Sequence, residues 1–66
     1  MKNTIKVERA KLNFSQADLA EKIGVSRQTI NSIERGKFVP STIIALKIAN
    51  IFKLTIEDIF ILEDGD

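Results

Sequence analysis

The sequence predicts an all-α domain of five short helices, with room for a short terminal β-strand, and three observations lead there. Hydroxyl side chains at Ser15, Ser26, Ser41 and Thr55 each stand just ahead of apolar residues at helical spacing, where they can cap the free N–H groups of a helix start. Gly24 and Gly36 stand where two of these segments end, and glycine takes left-handed backbone without steric penalty. No stretch before residues 60–62 alternates apolar and polar side chains with the period of a strand.

The elements follow in order. A first helix fits residues 4–11, with Ile5, Val7 and Ala10 apolar, and ends near Asn13. Ser15 caps the second, and Asp18 three residues on completes the pattern of a capping box. Leu19, Ala20 and Ile23 form its inward face before Gly24 stops it. Ser26 opens the third helix, Ile30 and Ile33 point inward, and Gly36 closes it. Ser41 caps a fourth helix that runs to about Lys53. Thr55 caps a short fifth one, whose first turn carries Glu57 and Asp58, where the helix dipole favours anions.

Composition narrows the function classes. A chain of 66 residues is expected to form one domain, residues 1–66, and such a chain buries only about 60% of its unfolded surface, so a partner subunit helps. With Cys 0 and His 0, disulfides, thiolate or imidazole metal sites and Cys/His nucleophiles are all excluded. There is no phosphate-cradling glycine loop, so no enzyme, no cofactor and no metal is expected. The longest apolar runs are four residues, too short for a membrane span or signal peptide, and a cytoplasmic location follows by default.

Charge is unevenly divided. Residues 1–53 hold all ten Lys and Arg against four acids, a balance of +6, while residues 54–66 hold five acids and no base, −5. A basic body with an acidic tail (residues 61–66) fits a polyanion on one side only. Ordinary solvated surface is the alternative.

Two short helices joined at one glycine make a helix-turn-helix arrangement, here over residues 15–36. With Ile30 and Ile33 inward, the opposite face of the second helix carries Gln28, Asn31, Ser32 and Arg35, with Arg27 on its flank. That face has no carboxylate and no large apolar group. Amides, a hydroxyl and guanidinium groups are the side chains that read base edges and phosphates in a major groove.

These residues carry a resemblance to a known family. Arg9, Ser15-Gln16, Leu19-Ala20, Gly24-Val25-Ser26, Ile30, Ile33-Glu34, Gly36-Lys37, Pro40-Ser41, Leu46, Ile48-Ala49 and Glu57-Asp58-Ile59-Phe60 together resemble the Cro/C1-type (XRE) helix-turn-helix regulators. The resemblance implies a five-helix, lambda-repressor-like domain that binds double-stranded operator DNA, usually as a homodimer. By it, Arg27, Gln28 and Ser32 would face base edges, with Thr29 and Asn31 at the margin. Ser15 and Gln16 at the start of the second helix, and Arg35 and Lys37 after the third, would contact phosphate. Phe38 would lie against the sugar-phosphate backbone or cover the core, and Arg9 and Glu34 would form an internal ion pair.

Two departures from the family pattern matter. Glu8 stands where an apolar core residue is common, and Val7 is expected to take over its packing. The fourth helix carries Ile44 and Ile51 on one edge, which with Ile59 and Ile61 would form a dimer interface; simple overfilling of the core is the alternative. The expected function is therefore a sequence-specific regulator, a dimeric repressor reading a palindromic operator. The competing class is a protein-interaction module built on the same fold, such as an antitoxin-like partner binder. With no second domain in this length, no small-molecule ligand has an evident seat.

Overall fold

A computed structural model describes residues 1–66. Its order is β1 (Lys2–Asn3), α1 (Ile5–Lys11), α2 (Gln16–Ile23), α3 (Arg27–Glu34), α4 (Thr42–Phe52), α5 (Ile56–Ile59) and β2 (Phe60–Ile61). The two strands pair antiparallel, Lys2 opposite Ile61 and Asn3 opposite Phe60, which ties the two ends of the chain together. The terminal strand was legible in the sequence; its partner was not.

Local chemistry explains the helix boundaries. Ser15 Oγ accepts from Asp18 N and Asp18 Oδ2 accepts from Ser15 N, both at 2.9 Å, so the capping box is closed. Thr55 and Asp58 build the same box at α5. Ser26 and Ser41 cap α3 and α4 through single bonds to Thr29 N and Ile44 N. Gly24 adopts φ 78, and its N–H and that of Val25 both close on the Ala20 carbonyl, which turns the chain from α2 into α3. Lys53 takes the same left-handed role after α4 with φ 57, unmarked by any glycine.

The core is wholly apolar. Leu19, Ala20 and Ile23 of α2, Ile30 and Ile33 of α3, and Ala45, Ile48, Ala49 and Phe52 of α4 enclose Ile5, Ile59 and Phe60. Burying a side chain such as Ile30 stabilises the fold by roughly 1.5–3 kcal/mol, so these few contacts decide whether so short a chain folds. Two expectations are corrected. Val7 is 56% exposed and takes no part in the core, because α1 turns Ile5 and the Arg9 guanidinium inward instead. Ile59 is fully buried beneath β1 and α4, so it is a core residue and unavailable to a second subunit.

Candidate nucleic-acid interface

α3 lies across α2 with Ile30 and Ile33 seated in the core, and this fixes which side chains face out. Arg27, Gln28 and Arg35 are exposed, while Thr29, Asn31 and Ser32 are half-buried. Two adjoining depressions follow this face. One is lined by Gln16, Ser26, Arg27, Gln28 and Asn31, all polar; the other by Ser26, Gln28, Thr29, Ser32, Lys37 and Phe38. The structure thus brings eight of the nine residues from Gln16 to Phe38 named for base and phosphate contact onto or beside one surface, while Arg35 lies at the far end of α3. Ser15 stands exposed at the start of α2, with its hydroxyl oxygen committed to the cap.

Particular hydrogen bonds limit what each side chain can offer. The Thr29 hydroxyl lies 2.8 Å from Ser26 Oγ and is drawn into the α3 cap. Phe38 is 47% exposed beside Lys37, so it does not cover the core. Lys37 N donates to Ser32 O at 3.0 Å, holding the loop after α3 in a tight turn.

The single acid on α3 is removed from the exposed face by a paired base. Arg9 Nε donates to Glu34 Oε2 at 2.6 Å and Arg9 Nη2 to Glu34 Oε1 at 3.0 Å, with only 6% of the Glu34 side chain exposed. The hydrogen bonds Arg9 donates to Glu34 push its pKa up further from its already high value. A third bond, from Arg9 Nη1 to Phe14 O, braces the loop between α1 and α2. With its carboxylate held inside, Glu34 sets little negative charge against a phosphate.

Asn3 was missed in the sequence. Its Oδ1 accepts from Ile5 N at 3.2 Å and caps α1, while its Nδ2 donates to Ile33 O at 2.8 Å and satisfies a carbonyl in the last turn of α3. An asparagine two residues ahead of a helix is the available signal, but reading Thr4 as the helix start hid it.

The chain matches the helix-turn-helix family over residues 5–59. It belongs to that family. As a helix-turn-helix protein it is a DNA-binding regulator and not an enzyme. It is 58% identical, over the whole of both chains, to a protein of Methanocaldococcus jannaschii named as an uncharacterized HTH-type transcriptional regulator. Another so named, from Bacillus subtilis, is 48% identical over 97% of each chain. A third, from Archaeoglobus fulgidus, is 48% identical over all of this chain and 93% of its own. Within this helix-turn-helix chain no helix is long and apolar enough to cross a membrane.

Proposed function

We propose that this helix-turn-helix protein is a cytoplasmic, dimeric repressor of transcription that reads a palindromic operator by placing α3 in the major groove. The observation that carries it is the outward face of α3. Arg27, Gln28, Asn31 and Ser32 present donors and acceptors there, and the one acid of the helix is tied inward to Arg9. Arg27, Gln28, Thr29, Asn31 and Ser32 meet base edges; Ser15, Gln16, Arg35, Lys37 and Phe38 flank them on the sugar-phosphate backbone. Residues 1–66 act as one DNA-binding unit.

The second subunit covers the outer edge of α4. Ile44 and Ile51 are half-buried against the core and share one edge, and Ile43, 67% exposed, lies beside them. Ile61 at 46% exposed extends the apolar surface from β2. A two-fold contact here sets two α3 helices about 34 Å apart, one turn of DNA. Sedimentation of the wild type and Ile43→Glu at micromolar concentration tests the dimer without touching the core. The expected result is a dimer that becomes a monomer in the variant and loses at least tenfold affinity for a two-fold symmetric duplex. A wild-type monomer with full affinity for an undivided site overturns it.

A further inference from the structure

The amide of Gln16 has both of its hydrogens in use. Gln16 Nε2 lies 3.3 Å from Glu34 Oε1 and 3.3 Å from Asn31 Oδ1. Together with the Arg9–Glu34 pair this makes a continuous chain of bonds, Arg9 to Glu34 to Gln16 to Asn31, running from α1 through α2 to the exposed face of α3.

The chain has a fixed direction. A carboxylate held by a guanidinium accepts and cannot donate. Gln16 must therefore turn its NH2 toward Glu34, and the second hydrogen of that NH2 then faces Asn31. Asn31 must meet it with its carbonyl oxygen. Its own NH2 has no partner inside the chain, and the residue lines the polar depression together with Arg27 and Gln28. Only one orientation of each amide satisfies the whole series.

We propose that Gln16 is a positioning residue that sets the polarity of Asn31, so that Asn31 offers the major groove a donor and selects a keto base, guanine O6 or thymine O4. This rests on the major-groove reading proposed above and names a base class at one operator position. An unrestrained asparagine takes adenine by donating to N7 while accepting from N6. Here the accepting end is held by Gln16. Cytosine, whose edge is an amino donor, is disfavoured, and adenine keeps only its N7 acceptor where guanine offers both N7 and O6. A phosphate near the start of α2 is then left to the Gln16 backbone N–H, because the side chain's remaining atom, Oε1, is an acceptor like the phosphate itself.

The test is selection of bound duplexes from a random pool by the wild type, Asn31→Ala, Gln16→Met and Gln16→Glu, each checked for folding by circular dichroism. Asn31→Ala marks the position it reads by losing preference there alone. Gln16→Met keeps the volume but removes both donors, and adenine should rise at least fivefold relative to guanine and thymine at that position. Gln16→Glu faces Asn31 with an acceptor, so the Asn31 amide should turn over and the preference should move to amino bases. Base preference is compared within each protein, so a uniform loss of affinity does not imitate either result. An unchanged keto preference in both folded Gln16 variants, with affinity lowered alike on all sequences, overturns the proposal and leaves Gln16 a phosphate contact. A wild type that selects no motif overturns the major-groove function itself, and the proposal with it.

Discussion

The guanidinium of Arg9 and the carboxylate of Glu34 meet through two hydrogen bonds, 2.6 and 3.0 Å, across 25 residues of sequence and with only 13% and 6% of their side chains exposed. The pair spans the first helix and the last turn of α3, so it decides both the seating of α1 and the electrostatics of the exposed α3 face. Removing one member of a buried pair leaves the other charged and unsolvated. Arg9→Ala should lower the unfolding free energy by about 3 kcal/mol, a large share of the total for so short a chain. Replacing both at once, Arg9→Met with Glu34→Leu, should cost clearly less than the sum of the single changes. Urea denaturation of the wild type, Arg9→Ala, Arg9→Met, Glu34→Leu and the double variant measures this; additive losses in the last three would show that the two charges are not coupled.

Base and phosphate contacts are separable by their salt dependence. Gln28 is exposed in both depressions on the α3 face, whereas Lys37 lies in the loop beyond it. Gln28→Ala should cost about 1–3 kcal/mol on the preferred duplex and relax the choice at one base pair. Lys37→Ala should weaken every duplex alike and reduce the slope of log affinity against log salt by about one. Titrations on specific and random duplexes at several salt concentrations check both; equal losses on the two DNAs for Gln28→Ala would remove it from the base-reading set.

Acid should loosen the helix starts. The backbone N–H of Ser15 holds the Asp18 carboxyl below its usual range, and that of Thr55 does the same for Asp58; the two hydroxyls add to each effect. A carboxylate with a lowered native pKa stabilises the fold at pH values above its unfolded value, here 3.8, and loses that contribution as the pH falls through the lower native value. Stability from these two boxes should therefore be constant above about pH 5 and decline below about pH 4. Asp18→Asn should show a shallower acid decline than the wild type when urea midpoints are compared across that range. An identical pH profile would mean that the Asp18 charge adds nothing to the α2 cap.

Short-range chemistry made most of this fold legible. Ser15, Ser26, Ser41 and Thr55 cap the helices they precede, and Gly24 makes the left-handed turn its position implied. Each of those signals acts within four residues. What escaped depends on distant partners. Val7 and Ile59 share a similar apolar character, yet one is exposed and the other fully buried, because the pairing of β1 with β2 draws Ile59 under the chain's start. Half of the Asn3 role escaped for the same reason, since its second bond is to Ile33, thirty residues away. At the interface, residue types identified the exposed face of α3, but the bonds that orient Gln16 and Asn31 come from helix packing that no spacing encodes.

The acidic tail lies beside the C-terminal end of α3. From the sequence, the five carboxylates of residues 54–66 are expected to turn away from a polyanion. The pairing of β1 with β2 instead brings the end of the chain to the far end of α3, where Glu63 shares a depression with Arg35, Gly36 and Met1. The Met1 ammonium lies 3.1 Å from Asp66 Oδ1 and 3.2 Å from Glu63 Oε1, so part of the tail's charge is matched locally. Asp64 makes no such pair, and the cluster keeps a net negative charge beside Arg35, proposed above as a phosphate contact. At about 0.1 M salt a charge acts over about 10 Å, so this cluster lowers the potential that Arg35 presents to DNA; at 1 M the reach falls to about 3 Å and the effect should vanish. Changing Glu63, Asp64 and Asp66 to their amides should therefore raise affinity for random-sequence duplex several-fold in dilute salt and leave it unchanged at high salt. Fluorescence anisotropy across a salt series reads this directly. Equal affinities in dilute salt would place the carboxylates beyond electrostatic reach of the duplex. Lost affinity would mean that they hold the β1–β2 ends, and through them α3, in the conformation that binds.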